Sequence, residues 1–409
     1  MGIGGYTTGM PWKTISLVQE RGRLVKLLLR AQQSVAELSR VFKVSRKTAY
    51  KWKARFLQKG VRGLGDQSRR PTASPTRLSD DWVQRIRQLR RRRRRWGAKK
   101  IRAVLRHQHP RKKVPAMRTI TRWLQRLRLS RPRRCRPAKG PVVVRPKLTL
   151  AQKSNQVWTV DFKGWWRTVD GQRVDPLTVR DLFSRYLLAV RLLPDQQWWR
   201  VQAVFRRLFR QYGLPQVIRV DNGGPFASAG RGALSRLSAW WTVLGIAVEF
   251  TRPAHPQDNG AHEQMHRVLK AETTRPPSSN PRAQQRRLDR WRWIYNQERP
   301  HEALRQKTPA QHYQRGRSYR AKSVPKVKYP AAWEQRGVRS NGQIRWQGRL
   351  RFVGEAVVGC KVGLKRLSVG KWSVYLAGIL LGELRASDAG ALRPAAYVRQ
   401  HPTYPKKKV

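Results

Sequence analysis

VWTVDF, residues 157–162, and VIRVDN, residues 217–222, are runs of β-branched and aromatic residues that each reach an aspartate near their end. Short apolar runs of roughly four to eight residues bounded by turn signals read as buried strands. These two predict strands that deliver Asp161 and Asp221 where a strand emerges or ends. Between them, residues 177–180 and 186–192 predict a hairpin turning about residues 181–185. Val201, Val204, Phe205, Leu208, Phe209 and Tyr212 then follow helical spacing until Gly213 and Pro215 stop the helix. Beyond Asp221 a Gly-rich loop precedes a helix over 234–244, an alternating edge strand (Ile246, Val248, Phe250), a loop over 253–260 and a helix over 261–272. Hairpin, α, β, α, β, α is the order of a mixed α/β sheet with helices on its faces.

The chain around this segment is of another kind. Lys and Arg number 90 against 22 Asp and Glu, a net charge of +68 over 409 residues. That exceeds what solubility needs and repels the folded chain against itself, so a polyanionic partner is expected. From residue 82 to 160 there are 27 basic and no acidic residues, whereas residues 155–316 hold 13 of the 22 acids. A GC-rich genome alone raises Arg, but it does not segregate the acids. Nucleic acid fits better than membrane, because no apolar run approaches a bilayer span and no signal pattern opens the chain. Cys135 and Cys360 form no Cys-x-x-Cys pair, and neither a disulfide framework nor a zinc cluster is indicated.

Upstream, Ser34 and Glu37 make a capping box before the stripe Val35, Leu38, Phe42; Lys43 and Val44 turn; and Ser45 caps a helix with Ala49, Trp52 and Phe56 inward. Arg46, Lys47, Tyr50, Lys51 and Arg55 face out, as on the second helix of a helix-turn-helix that enters a major groove. Residues 60–76 look like an exposed linker. A second helical unit follows on Ile101, Val104 and Leu105, then Ile120, Trp123, Leu124 and Leu127, with Arg118, Arg122 and Arg126 one turn apart on its outer face. The run 90–95 reads as a solvated face or a phosphate contact without sequence information. Downstream, short alternating runs at 338–340, 343–346, 349–352, 362–366, 372–376 and 379–384, with an Asn341-Gly342 turn, predict a small all-β barrel before a basic tail.

Chemistry concentrates on three carboxylates: Asp161, Asp221 and Glu263 in the first turn of the 261–272 helix. Carboxylates in a half-buried setting cost free energy unless paired or bound to a cation. Hard divalent ions take such oxygens, and two of them stabilise both the attacking and the leaving oxygen of a phosphodiester displacement. Asn222-Gly223 either brings backbone amides to a phosphate or is an ordinary turn; Asn259-Gly260 reads as the turn that starts the helix. Lys270, on the helical face of Glu263, is a phosphate contact or solvated surface, and Trp158, Trp165 and Trp166 read as packing residues.

VWTVDFKGWW, VIRVDNGGPFAS and RPAHPQDNGAHEQMHRVLK together resemble the three acidic signatures of insertion-sequence DDE transposases with a retroviral-integrase-type core, a ribonuclease-H-like fold. The likeness extends to SRYLLAV at 184–190, QYGLP at 211–215 and YNQERPHEAL at 295–304. It implies hydrolysis at transposon ends, then attack of the freed 3′ hydroxyl on target DNA. It assigns catalytic and metal-ligand roles to Asp161, Asp221 and Glu263, with two divalent ions, Mg²⁺ or Mn²⁺, as cofactors. The 41 residues between Asp221 and Glu263 exceed the family's commonest spacing, and the loop at 228–234 can absorb the excess.

The expected domains are a helix-turn-helix domain (1–60), a linker (61–77), a second helix-turn-helix-like domain (78–130), a basic linker (131–152), the catalytic core (153–318), a linker (319–335), the barrel (336–390) and the tail (391–409). The expected partners are double-stranded DNA, as terminal inverted repeats and target, and further copies of the chain in a synaptic complex. The expected location is the bacterial cytoplasm, at the nucleoid. Two rivals stand beside this reading. One is a catalytically inactive descendant acting as a repressor. The other is a zinc protease through HEQMH, residues 262–266, which formally matches His-Glu-x-x-His. Asp181, Glu249 and Asp258 are the other acids near the core, with turn or strand-surface roles as their plainer readings.

Overall fold

The computed structural model describes residues 16–67, 78–130, 148–228, 234–252, 259–319, 325–388 and 390–393. The chain divides into two compact units, Met1–Ser79 and Asp80–Val409. In the first, α1 (Leu17–Arg30), α2 (Val35–Val41) and α3 (Arg46–Lys59) carry the predicted caps: Ser34 and Glu37 exchange hydrogen bonds, and Ser45 Oγ accepts from Thr48 N. Leu24, Leu28, Leu38 and Ala49 form its core. The stretch expected to be linker begins differently. Residues 60–64 make a 3₁₀ turn that buries Leu64 against Val25 and Trp52, so the folded unit runs past residue 60. Gly63 is required there, since a Cβ would stand 2.2 Å from the Arg55 carbonyl oxygen.

The second unit opens with α4 (Asp80–Arg92), α5 (Ala98–Gln108) and α6 (Met117–Arg126), packed through Ile86, Ile101, Leu105, Ile120 and Leu124. Here the arginine run is corrected in part. Arg90 donates to the carbonyls of Leu129 and Trp96, and Arg93 pairs with Glu298, so these two are internal ties rather than solvated charge.

The sheet that follows is built on β1 (Val157–Phe162), β2 (Trp166–Arg167), β3 (Arg173–Asp181), β4 (Leu187–Leu193), β5 (Val217–Val220) and β6 (Ala247–Phe250). β3 lies between β4 and β1 in antiparallel pairing; β1, β5 and β6 run parallel, with β6 at the edge. Because β1 is central and covered on both faces, its first four residues are all buried, as the unbroken apolar string requires. α7 (Trp198–Tyr212) and α8 (Arg236–Val243) cover one face: Phe205, Phe209 and Trp241 pack on Trp158, Val160 and Ile218. Gly213 ends α7 at φ 86°, where a Cβ would lie 2.5 Å from Arg317 O. The other face takes α9 (Gly260–Thr273) and α10 (Pro281–Gln297), through Met265, Leu269, Leu288, Trp291 and Tyr295 against Leu187 and Val190.

The C-terminal strands depart from a barrel. β7 (Glu334–Gly337), β10 (Lys361–Ser368), β11 (Lys371–Leu376) and β12 (Ile379–Arg385) form an antiparallel sheet, while β8 (Gln343–Trp346) and β9 (Arg349–Phe352) pair only with each other. Both sheets bury apolar side chains in one core around Trp346, Trp372 and Val374. Among the described residues the larger sheet ends at β7 and β12 without closing, and the tail 394–409 lies outside them.

Candidate active site

The site is set by register. Val157, Trp158 and Thr159 of β1 pair with Val217, Ile218 and Arg219 of β5. Continuing that register brings Asp161 and Asp221 level on adjacent parallel strands, at their carboxyl ends, where open α/β sheets place their ligands. Asp221 stands just after β5, and its Oδ1 accepts from Gly223 N at 3.2 Å. A Cβ on Gly223 would come within 3.2 Å of Asp221 Oδ2. Asn222 turns away to donate to Thr251 O, so this turn serves the carboxylate and the sheet edge. Glu263 is exposed in the first turn of α9, on the flank adjoining that helix's buried face.

Electrostatics tie the three together. Burial, then the charge of Asp221, then that of Glu263 push the Asp161 carboxyl up to about 7, against the lowering effects of Lys163 and of a hydrogen bond from the Phe162 N–H. Burial also raises Asp221, opposed by the Gly223 N–H. In this cluster burial and mutual repulsion outweigh the nearby Lys163, and its oxygens suit a divalent cation. Lys163, half-buried just after β1, has its ammonium disfavoured by burial and by Lys270. Two cations thus flank the carboxylates. Of the two, Lys163 escaped the sequence reading; its position two residues after Asp161 was the available signal.

His262 and His266 point inward from α9, at 0 % and 6 % exposure. His262 Nδ1 lies 2.9 Å from Thr159 Oγ1, and both Nε2 atoms lie 2.7 Å from Thr178 Oγ1. The two imidazoles converge on the Thr178 hydroxyl, and a nitrogen of each lies within 4.8 Å of an Asp161 oxygen, a group that could hold a metal ion. Glu263 is exposed on a different face of the helix, so the grouping is with Asp161 rather than the histidine pair and glutamate of the protease motif.

The other acids have structural partners. Asp181, fully buried, accepts from Asn155 N, Ser184 N and Ser184 Oγ at 2.7, 2.8 and 2.5 Å. Glu249 pairs with Arg219 at 2.9 Å across β5 and β6. Asp258 lies outside the described residues. Of the expected DNA contacts, Arg46, Lys47, Tyr50 and Lys51 are exposed on α3, as are Arg118, Arg122 and Arg126 on α6 and Lys270 on α9. Arg55 instead folds back, 5.2 Å over the Trp52 ring and bonded to Gln67.

YNQERPHEAL acquires a mechanical role. Asn296 bonds both the N–H and the carbonyl of Leu187 on β4, Arg299 pairs with Glu272 at 3.3 Å, and Glu298 and Glu302 receive Arg93 and Lys99 from the preceding helical unit. Lys100 reaches Pro300 O, and burial lowers it to about 8.

Residues 151–256 and 244–309 each match a family described as Integrase core domain; residues 20–72 match a Helix-turn-helix domain and 48–124 a Homeodomain-like domain. The fold and these matches define an integrase-type core preceded by helix-turn-helix DNA-binding domains. The chain is similar to an uncharacterized 31.7 kDa protein of insertion element IS407 from Burkholderia multivorans, 26% identical over 50% of this chain and 69% of that one. It is likewise similar to a 39.2 kDa protein of insertion element IS476 from Xanthomonas euvesicatoria, 27% identical over 61% and 69%. The chain thus carries an integrase-type core over residues 151–309 and is similar to proteins of bacterial insertion elements. Among solved structures, the HTLV-2 integrase catalytic core in complex with magnesium matches at 17% identity and TM-score 0.33, covering 40% of this chain and all of that one. A chain of the simian T-cell lymphotropic virus intasome in complex with PP2A regulatory subunit B56 gamma matches at 16% identity and TM-score 0.36, covering 74% of this chain and 99% of that one. No described helix is long and apolar enough to cross a membrane.

Proposed function

We propose that this chain is an active DNA strand transferase: it binds the ends of its element, cleaves them, and joins the freed 3′ hydroxyls to target DNA. The observation that carries this is the level placement of Asp161 and Asp221 at the carboxyl ends of β1 and β5, with Glu263 near enough to raise Asp161 further. Asp161, Asp221 and Glu263 would hold two divalent ions, Mg²⁺ or Mn²⁺. When bound, such ions neutralise charge on the attacking and leaving oxygens of an in-line phosphodiester displacement. Lys163 and Lys270 hold the flanking phosphates, and the turn at Asn222-Gly223 fixes the Asp221 carboxylate.

The exposed residues of α3 read one segment of an end through the major groove, and Arg118, Arg122 and Arg126 bind a second. The first helical unit, carried past residue 60 by Leu64, and residues 78–130 act as the two DNA-binding domains, 153–318 as the catalytic core, and 336–390 as a C-terminal β-domain. Two ends must be processed together, so the working form is a multimer of this chain on DNA, at the bacterial nucleoid.

The test is strand transfer by the full-length protein on candidate terminal inverted repeats, comparing wild type with Asp161→Asn, Asp221→Asn and Glu263→Gln. Joining should fall about 10²–10³-fold in each, as expected when an interaction made in the transition state is removed. Metal-dependent joining retained by all three would refute the mechanism, and binding without joining by the wild type would favour a repressor.

A further inference from the structure

His266 lies outside the three-carboxylate scheme, yet its hydrogen bonds leave one nitrogen bare and facing it. Thr178 Oγ1 has three neighbours: Asp161 O at 2.9 Å and the Nε2 atoms of His262 and His266 at 2.7 Å each. A hydroxyl has one hydrogen to donate and two lone pairs to accept. If it donates to Asp161 O or to His262, His266 Nε2 must carry the ring hydrogen, which leaves Nδ1 as a lone pair. If it donated to His266, Nδ1 would carry the hydrogen toward Asp161 Oδ2. That pair stands 3.6 Å apart, too far for a charge-assisted N–H···O bond, which closes to about 2.7–2.9 Å.

A bare nitrogen and an ionised carboxylate oxygen repel one another unless a cation lies between them; without metal a proton on Asp161 relieves this, and a divalent ion would take that proton's place. Ligands bound at about 2.1–2.2 Å to a common ion stand roughly 3.0–3.6 Å apart, which matches the observed separation. His262 cannot serve in the same way, since Thr159 and Thr178 occupy both of its nitrogens. The geometry points to His266 Nδ1 as a fourth metal ligand, sharing one divalent ion with Asp161 in a mixed nitrogen and oxygen site. This rests on the metal-dependent reading above. A nitrogen ligand suits a first-row transition ion better than Mg²⁺, so of the two ions named above this mixed site favours Mn²⁺ over Mg²⁺. His262 acts as the positioning residue, holding Thr178 and through it the ring of His266.

The experiment is electron spin echo spectroscopy of Mn²⁺ added to the full-length chain, with no turnover involved. Bound Mn²⁺ should show an imidazole ¹⁴N coupling that converts to ¹⁵N when histidine is isotopically labelled. In His266→Asn the coupling should vanish, with Mn²⁺ affinity lowered about tenfold or more, the scale on which metal sites respond to loss of a supporting histidine contact, and Mg²⁺ affinity lowered less. Mn²⁺ bound to the wild type without a nitrogen coupling, or a coupling that persists in His266→Asn, overturns the assignment and leaves the carboxylate site standing. Absence of any Mn²⁺ binding overturns both.

Discussion

Replacing Asp161 with Asn should stabilise the metal-free protein at neutral and alkaline pH, the reverse of what removing a structural acid does. Asp161 carries a carboxyl raised from 3.8 to about 7 by burial and by Asp221. Its protonated form is therefore favoured in the folded chain. Stability from this group is fully present below the unfolded value, is lost as pH rises through the interval up to about 7, and is flat beyond it. Raising the carboxyl from 3.8 to about 7 is worth at most roughly 4 kcal/mol, at 1.36 kcal/mol for each tenfold change in proton affinity. Asn removes the titration, and its amide can donate to the bare His266 Nδ1. Calorimetry of the core transition in chelator, at pH 5 and pH 8, should show Asp161→Asn gaining several degrees over wild type at pH 8, with a smaller gain at pH 5. Mg²⁺ or Mn²⁺ should then raise the wild type and leave the variant unmoved. A variant less stable than wild type at pH 8 without metal, or one keeping the wild-type change between the two pH values, would refute the electrostatic account.

Gly223→Ala puts a Cβ within 3.2 Å of Asp221 Oδ2 at a position whose backbone tolerates alanine; strand transfer should drop about 10–100-fold with the thermal transition unchanged, and undiminished joining would free Gly223 from any part in the site. Lys47→Ala with Lys51→Ala should weaken binding to end DNA and to random DNA alike and flatten the slope of log K against log salt by up to about 1.8; an unchanged slope would take α3 off the phosphates. Glu298→Ala leaves Arg93 without its partner where 80–130 meets the core, and should speed hydrogen exchange in α4 and α5 while sparing β1 and β5; unchanged exchange would mean that the apolar contacts hold the two together alone.

The strand and helix order of the core was legible because β1 and β5 are covered on both faces and write unbroken apolar strings, while α7 writes a 3.6-residue stripe ended by glycine. Three things were not. Leu64 reads as one apolar residue in a Gly- and Arg-rich stretch, and only its contact with Val25 and Trp52, far off in sequence, shows that the domain continues. Arg90 and Arg93 are indistinguishable from their neighbours in the run, since what separates them is a carbonyl and a glutamate supplied from elsewhere. The C-terminal strands show alternation but not closure, because which edges meet is decided by pairing and is silent in local pattern.

Within the candidate site, Asp161 and Asp221 could be read from their strings, whereas the part played by Glu263 depends on how α9 is rotated. The 41 intervening residues are the apparent obstacle. A bridge between Ala227 and Leu234 brings the two sides of the inserted stretch together, so those residues add little distance between Asp221 and the helix that follows. The rotation itself is fixed from the buried side. Met265 and Leu269 pack against the sheet, and the two histidines anchor on Thr159 and Thr178, one from each of the strands β1 and β3. With that face locked, Glu263 stands about 100° around the helix from His262, on the flank whose charge Asp161 feels. The pentapeptide that imitates a zinc protease is thus what aims the third carboxylate, and weakening the Thr178 contacts would misdirect Glu263 without touching it.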